Sequence, residues 1–185
     1  YSMPIIVGEA LTAFGTEEQK KKYIPPLATG EKIAAAAFTE PEHGSDITRM
    51  DSTALKTGNE WTINGAKEFI TNATIADTFI ILCQSDPNCQ PPHRGQSLFL
   101  AEKGMCGLEA TKLHGKMGIK PCVTGSLSMA DLKVPETNLV GEVGKGFYYT
   151  LELFDGTRIA VAAQAVGMAQ GAFERALAYA KTRKQ

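Results

Sequence analysis

The 185-residue chain is 43% hydrophobic and carries a formal net charge of −1. A net charge this close to zero argues against nucleic acids and anionic membranes as partners, and no apolar run approaches the roughly 20 residues that a bilayer-spanning helix requires. We therefore expect no membrane insertion, and a length of this kind suits one domain, or one domain with attached pieces of others.

The cysteines and histidines do not indicate a metal centre. No cysteine pair has the CxxC spacing of common zinc sites, and the histidines are far apart in the sequence. We expect no metal site, and we expect the cysteines to be free thiols in a reducing compartment. The residues concerned are Cys83, Cys89, Cys106, Cys122, His43, His93 and His114.

Residues 1–30 form a first zone that predicts two short helices. An apolar stripe with helical spacing ends at Gly15, a residue type that commonly follows the last turn of a helix. Thr16 and Gln19 fit a capping box, in which both side chains satisfy free backbone amides at the start of the second helix. The Pro25-Pro26 pair predicts the end of that helix.

Residues 31–144 form a second zone that predicts short strands without helices between them. Gly58-Asn59 predicts the turn of one hairpin, and Asn64-Gly65 predicts a turn within the next strand pair. Many short strands in succession are typical of a small antiparallel barrel or sandwich. The apolar or alternating runs are 33–38, 52–57, 60–64, 67–71, 77–83, 97–102, 107–112 and 125–133.

Residues 145–185 form a third zone that is compatible with one continuous helix. Apolar side chains recur on a broad face from Leu151 to Ala180, and no proline follows Pro135. Such a helix would be roughly 55 Å long at about 1.5 Å per residue, which is too long for a lone barrel to cover. We therefore expect the helix to need partners that this chain does not contain.

Three glycines lie within this helical zone. Gly156, Gly167 and Gly171 would each weaken an isolated helix by about 1 kcal/mol, so we expect them to allow close approach of other helices. The three zones together predict an α+β fold class, with an antiparallel, barrel-like β domain flanked by helical segments.

The run from Ala36 to Asp46 predicts a strand, a proline turn and a ligand-binding loop. The strand delivers the hydroxyl of Thr39. Gly44 lets the backbone come close to a ligand, and Ser45 offers the hydroxyl and amide pair that suits a phosphate. The alternative is a plain strand end in which Ser45 only caps the turn.

The run from Trp61 to Asn72 predicts a hairpin that ends in Phe69, Ile70 and Thr71. An apolar ring can lie flat against a second ring system, and the hydroxyl of Thr71 can donate or accept a hydrogen bond. The alternative for Phe69 is an ordinary position in the core.

The run from Phe154 to Arg158 places an acid and a base on the long helix. One helical turn brings Asp155 and Arg158 to one face. The alternative to a binding role is an intrahelical ion pair between them, worth about a few tenths of a kcal/mol if exposed.

Together with Lys116 to Phe147, these runs closely resemble the acyl-CoA dehydrogenase family in order and spacing. The resemblance implies an acyl-CoA substrate and FAD as cofactor. It also implies that residues 1–30 end an N-terminal helical domain, residues 31–144 form a middle β-barrel domain, and residues 145–185 form the first long helix of a C-terminal helical domain.

The same resemblance implies the roles of individual residues. Phe69 would pack on the flavin ring and Thr71 would hydrogen-bond near its N5 atom, although Phe69 stands where tryptophan is common. Phe38 and His43 also depart from the smaller residues that are usual there. The implied cofactor-binding residues are Ala36, Phe38, Thr39, Ser45, Phe69, Ile70 and Thr71, and the implied substrate-binding residues are Ser45, Phe154, Asp155 and Arg158.

In the family, a carboxylate removes a proton from the thioester α-carbon and FAD accepts a hydride from the β-carbon. The resemblance places the catalytic glutamate downstream of Gln185, or at or next to Thr157, whose hydroxyl cannot be that base. We therefore expect the base to lie outside this chain. Because the chain also opens within helix-like sequence, we expect a piece of a longer protein that binds FAD weakly and does not turn over by itself.

The resemblance further implies an electron-transferring flavoprotein as electron acceptor, a homotetramer for the complete protein, and a location in the cytoplasm or the mitochondrial matrix. Two alternatives remain open. One is an acyl-CoA oxidase, which passes electrons to oxygen, and the other is a non-catalytic binding module that reuses the fold. The sequence does not indicate the identity of the acyl chain.

Overall fold

The structure is a computed structural model that describes residues 2–185, with side chains from residue 5 onward. It confirms the α+β class, with a β-sheet flanked by helices at both ends of the chain. The elements are α1 (Ser2–Phe14), α2 (Glu17–Ala28), β1 (Ala34–Ala37), β2 (Thr53–Thr57), β3 (Glu60–Thr71), β4 (Thr78–Gln84), β5 (Gln96–Glu102), β6 (Leu108–Lys112), β7 (Thr124–Pro135), β8 (Leu139–Val140) and α3 (Gly146–Thr182), with short 3-10 turns at Pro92–Gly95 and Glu136–Asn138.

The two N-terminal helices follow the sequence pattern with one exception. The capping box of α2 is confirmed, because the Thr16 hydroxyl accepts from the amide of Gln19 and the Gln19 side chain accepts from the amide of Thr16. The prediction that Pro25-Pro26 ends α2 is wrong, since the helix continues to Ala28. The fixed φ of proline fits a helix, and the Pro25 carbonyl still accepts a bond from the amide of Thr29 at 3.0 Å.

The eight strands form one sheet in the order β6-β7-β3-β2-β4-β5-β8, and β1 pairs with β4 beside this path. Five pairings are antiparallel, as expected, whereas β1 and β2 both run parallel to β4. The Gly58-Asn59 turn between β2 and β3 is confirmed by the pairing of Thr57 with Glu60.

The turn predicted at Asn64-Gly65 is wrong, because residues 60–71 form the single strand β3. The pairing of β3 with β7 is irregular between Ile63 and Gly65, and Gly65 has a φ of 141°. The Asn64 side chain bonds both the amide and the carboxylate of Asp131 across the strands. The pair therefore lies opposite a β-bulge whose extra residue is on β7, where Asp131 has a φ of 52°.

The sheet buries a separate apolar core on each face. Successive side chains of a strand point to opposite faces, and every residue of β4 is buried. Ile80 and Leu82 of β4 pack with α1, α2 and the start of α3. Phe79 and Ile81 pack with β3 and β7 on the other face. Strand β4 is thus the centre around which the helices and the rest of the sheet are placed.

Helix α3 leaves this packed body after its first turns. Its buried residues are Gly146, Phe147, Thr150 and Leu153. A Cβ on Gly156 would meet the Glu9 carboxylate of α1 at 3.9 Å, whereas on Gly167 or Gly171 it would meet nothing within 4 Å. The expected close approach of other helices is therefore not formed at Gly167 and Gly171 within the described residues. Over the range that the structure describes, no helix combines the length and apolar character needed to cross a bilayer.

Candidate functional site

A cleft of about 590 Å³ opens where β1 ends, β3 ends and α3 begins. This volume lies within the range of about 300–1,000 Å³ that is typical of small-molecule sites. Its walls combine apolar side chains with three hydroxyls and one guanidinium. The lining residues are Ile6, Ala36, Phe38, Thr39, Gly44, Ser45, Ile47, Phe69, Ile70, Thr71, Leu151, Phe154 and Arg158.

The structure brings together in this cleft every residue predicted to bind cofactor or substrate except Asp155. Asp155 is exposed and does not line the cleft, and over residues 5–185 no ion pair joins it to Arg158. The intrahelical ion pair considered from the sequence is therefore wrong for this structure. Sequence reasoning did not select three apolar lining residues, namely Ile6, Ile47 and Leu151, since nothing in the motifs distinguishes them from core residues.

Strand β1 carries the first wall. Its four alanines are small enough to pack on both faces of the sheet, and all four are buried. Beyond the strand, the amide of Glu40 donates to the carbonyl of His43 at 2.8 Å and closes a turn. The turn leaves Gly44 and Ser45 exposed at the cleft. A Cβ on Gly44 would meet nothing within 4 Å. The glycine therefore leaves space at the cleft and does not relieve a clash with the protein.

The loop after this turn is held by its own polar groups. The Asp46 carboxylate accepts from the amide of Thr48 at 2.9 Å and from its hydroxyl. These bonds lower the pKa of Asp46 below its ordinary value. The Ile47 carbonyl accepts from the buried side chain of Gln96 at 2.9 Å. The loop bearing Ser45 is therefore held by the side chains of Asp46, Thr48 and Gln96, none of which lines the cleft.

The end of β3 carries the second wall, and its backbone is unusual. Phe69 has a φ of 58° and its side chain is 62% exposed. The pairing with β7 shifts between Lys67 and Ile70, which is a second bulge. A bulky residue in the left-handed region costs about 1–3 kcal/mol and persists only where neighbouring contacts enforce it. The sequence alternative, in which Phe69 is ordinary core, is wrong.

The strained turn is fixed on both sides of Phe69. Before it, the amide of Glu68 donates to the carbonyl of Thr39 at 2.9 Å and joins the two walls of the cleft. After it, Asn72 takes a φ of 68° and its side chain donates to the carbonyl of Ala34 at 3.2 Å. The ring of Phe69 is thus held out of the core and over the cleft.

The hydroxyls of the cleft are available to a ligand. Among the residues that the structure describes, no protein group bonds the hydroxyls of Thr39, Ser45 or Thr71, whereas 43 side-chain hydrogen bonds form elsewhere. A cleft with unpaired hydroxyls around an exposed aromatic ring suits a flat ligand that is apolar on its faces and polar at its edges. A flavin ring has this character, so the residues present fit the implied cofactor.

Helix α3 closes the third side of the cleft. The ring of Phe154 meets the ring of Phe38 edge-on, with centroids 5.5 Å apart and planes at 74°. Arg158 lies one turn further along the helix and is exposed. The hydroxyl of Thr157 donates to the carbonyl of Phe154 at 3.0 Å within the helix. None of the described lining residues carries a carboxylate.

Behind the two strand walls lies a buried ion pair that sequence reasoning missed. The Lys67 ammonium lies 2.7 Å from the Glu40 carboxylate, and the two side chains are 0% and 1% exposed. The sequence pattern does indicate this pair, because Lys67 points to the same buried face of β3 as Trp61 and Ile63. A charged residue in that register needs a buried partner, and Glu40 follows Thr39 directly.

The Glu40 carboxylate is fully engaged. Its second oxygen accepts from the amide of Asp51 at 2.6 Å, and the first also accepts from the amide of Ser52 at 3.0 Å. Burial raises the pKa of Glu40, but the charge and hydrogen bond of Lys67, with these two donors, outweigh burial and leave the pKa below its ordinary value. The His43 ring lies 3.2 Å from the Asp51 carboxylate close to Glu40. These three residues make a poor metal site, because the Glu40 carboxylate is already bound by Lys67.

Three models of acyl-CoA dehydrogenase domains match the chain. The middle-domain model matches residues 35–132, the C-terminal-domain model matches residues 144–185, and the N-terminal-domain model matches residues 1–31. The middle-domain match alone covers more than half of the 185 residues.

Individual relatives agree with these matches. The chain is 46% identical over 171 residues to a short-chain-specific acyl-CoA dehydrogenase of Clostridium acetobutylicum, which covers 92% of this chain and 45% of that one. It is 42% identical over 180 residues to the caffeyl-CoA reductase-Etf complex subunit CarC of Acetobacterium woodii, which covers 97% and 47%. The chain thus spans about half the length of the curated relatives that it matches.

The fold is shared with solved structures as well. Butyryl-CoA dehydrogenase from Megasphaera elsdenii superposes with a TM-score of 0.93 at 39% sequence identity, over 97% of this chain and 47% of that one. The likeness therefore extends through both N-terminal helices, the sheet and α3.

Proposed function

The chain belongs to the acyl-CoA dehydrogenase family, and from this we propose that the full-length protein containing it is an FAD-dependent acyl-CoA dehydrogenase. It oxidises the α,β-bond of an acyl-CoA thioester to the enoyl-CoA. The observation that carries the proposal is the strained, exposed Phe69 beside the unpaired hydroxyls of Thr39, Ser45 and Thr71. A fold maintains such a position at a cost only where the surroundings enforce it.

The cofactor residues proposed are Ala36, Phe38, Thr39, Ser45, Phe69, Ile70 and Thr71. Phe69 offers an apolar face to the flavin ring, and Thr71 and Thr39 offer hydroxyls to its polar edge. Ser45 offers its hydroxyl and exposed amide to a phosphate. When bound, FAD supplies the acceptor for the hydride that leaves the substrate β-carbon.

The substrate residues proposed are Ser45, Phe154, Asp155 and Arg158. Phe154 and Phe38 line the cleft with apolar surface that excludes water from the acyl chain. Arg158 presents a permanent positive charge to the phosphates of CoA. A CoA contact of Asp155 stays a prediction, and it would lie on the exposed side of α3, outside the cleft.

The catalytic base is proposed to be a carboxylate from the part of the protein outside these 185 residues. The hydroxyl of Thr157 is no proton acceptor for an α-carbon, and none of the described residues that line the cleft is an acid. By itself the chain is proposed to bind FAD weakly, and it is proposed to lack turnover because no described cleft residue can accept the proton of the α-carbon.

The domain division proposed is 1–30, 31–144 and 145–185, which is supported by breaks between the three family matches close to these positions. The complete protein is proposed to be a homotetramer and to pass electrons to an electron-transferring flavoprotein. A complex with such a protein is supported by the Acetobacterium woodii relative, whose name makes it a subunit of a reductase-Etf complex. The proposed location is the cytoplasm or, in a eukaryote, the mitochondrial matrix, which agrees with four free cysteines.

The test is an anaerobic titration of the full-length protein with saturated acyl-CoAs of increasing chain length, followed by visible absorption. We expect flavin bands that bleach with one class of acyl-CoA. Thr71→Val should slow the bleaching roughly tenfold, if one hydrogen bond of about 1.4 kcal/mol is lost, whereas Thr111→Val on exposed β6 should not. Bound flavin that no acyl-CoA bleaches, or no bound flavin, would contradict the proposal.

A further inference from the structure

The Lys67–Glu40 pair joins all the chain segments that form the strand walls of the cleft. The Lys67 ammonium has three protons to donate, and three oxygens receive them: the Glu40 carboxylate at 2.7 Å, the Leu82 carbonyl at 2.5 Å and the Phe38 carbonyl at 3.3 Å. The sulfur of Met50 lies 3.5 Å away on a fourth side. One buried cation thus connects the end of β1, the loop after it, β3 and β4.

The Glu40 carboxylate joins the two ends of the loop that carries Ser45. Glu40 precedes the loop, and Asp51 and Ser52 follow it, and the amides of both bond the Glu40 carboxylate. The intervening residues include Gly44, Ser45 and Ile47, which line the cleft. A shift of Glu40 would therefore move both ends of the segment that carries Ser45.

The lysine also stands directly before the strained turn at Phe69. Only Glu68 lies between them on β3, and the bulge begins at Lys67. Strain of this kind needs surroundings that over-determine it. The Lys67 ammonium fixes the residue at which the bulge begins. The amide of Glu68, the next residue, donates to the carbonyl of Thr39.

A charged pair at this place is not explained by stability alone. Well-packed apolar residues of similar volume often stabilise a protein as well as a buried ion pair does, because desolvation of two charges is costly. Apolar contacts do not depend on orientation, whereas the hydrogen bonds of this pair to backbone groups each fix the position of a particular atom.

We propose that Lys67 and Glu40 are positioning residues for the flavin site, which set the distance and orientation of the Ser45 loop relative to Phe69 and Thr71. The proposal rests on the proposed function, because it concerns the same cleft. Neither residue of the pair lines the cleft. It acts through the Phe38 carbonyl, the loop base and the bulge.

The experiment compares two full-length variants that each alter one buried side chain. Lys67→Met removes the ammonium, and Leu132→Ala opens a cavity in the opposite core, at a β7 residue that pairs with Ile63 of β3 and does not line the cleft. Dissociation constants of FAD are measured by flavin fluorescence, and amide hydrogen exchange over residues 41–51 is measured without FAD. We expect Lys67→Met to weaken FAD binding at least tenfold and to speed exchange in the loop, and Leu132→Ala to change both less than twofold.

Equal effects of the two variants on both measurements would overturn the proposal. If Lys67→Met does not fold, Glu40→Gln, which keeps the shape but removes the charge, is expected to give the same pattern with a smaller amplitude. Failure of both variants to fold would show a purely structural pair and would equally overturn the proposal. Wild-type protein that binds no FAD would refute the proposed function, and loop exchange would still decide whether the pair positions the loop.

Discussion

Two regions of this chain, both rich in apolar residues, differ in how far those residues are buried. In the packed domain, residues 5–154, every residue of β4 is buried between two cores. In the exposed part of α3, residues 155–182, no residue is buried. Seven large apolar side chains there are between 42% and 73% exposed, namely Ile159, Val161, Val166, Met168, Phe173, Leu177 and Tyr179.

Apolar periodicity therefore predicts a helix or strand, but it does not predict which part of the protein packs against the apolar face. Most of the stability of a helix in a protein comes from tertiary packing of its apolar face, and that contribution is formed for only the first turns of α3. The cleft lies where the two regions meet, since Leu151, Phe154 and Arg158 are contributed at the point where α3 leaves the packed domain.

The largest expected difference between the regions is the cost of removing the same side chain. Leu132→Ala should lower the free energy of unfolding of the 185-residue chain by about 3 kcal/mol, because it leaves a cavity in a closed core. Leu177→Ala should change it by less than about 0.5 kcal/mol, because Leu177 is already 42% exposed. Urea unfolding measures both. Equal costs would contradict the division into two regions.

Glycine substitutions should differ in sign between the regions. A Cβ on Gly65 would collide with Ser52, and its φ of 141° is strained for other residues, so Gly65→Ala should cost more than about 1 kcal/mol. Gly171→Ala meets nothing within 4 Å and should stabilise α3 locally by up to about 1 kcal/mol. Thermal unfolding and far-ultraviolet circular dichroism measure the two effects. A stabilising Gly65→Ala would show that the bulge is not as described.

Acid should destabilise the packed domain through Glu40. Its pKa lies below the ordinary 4.5 in the folded state, so it contributes stability above pH 4.5 that is lost as pH falls through the folded pKa. Unfolding free energies between pH 6 and pH 3 should therefore decrease, and Glu40→Gln should flatten that decrease while lowering stability at neutral pH. An unchanged slope in the variant would mean that other carboxylates carry the acid sensitivity.

Sequence alone predicted those parts of the fold that depend on local chemistry. The α2 capping box, the Gly58-Asn59 turn and the start of α3 near Lys145 need only neighbouring residues. The two wrong predictions of where an element ends have a common cause, because Pro25-Pro26 and Asn64-Gly65 are each compatible with two backbone forms. For Asn64-Gly65 the choice depends on a distant partner, since the bonds to Asp131 make a bulge more favourable than a turn.

The sequence motifs predicted most residues that line the cleft, but they did not predict the buried ion pair behind it. Nine of the ten predicted binding residues line it, because the spacing of the motifs fixes which strand ends meet. The Lys67–Glu40 pair was missed because its meaning depends on strands that are distant in sequence: Lys67 bonds the Leu82 carbonyl of β4. The position of Asp155 outside the cleft likewise depends on the rotation of α3, which the helical period alone does not set.

The most direct test of the cleft as the cofactor site is amide hydrogen exchange of the full-length protein with and without FAD. We predict slower exchange over residues 38–46 and 68–72 when FAD is bound, and no change over residues 108–112 of β6. Unchanged exchange at both strand ends while FAD is demonstrably bound would contradict the assignment of this cleft.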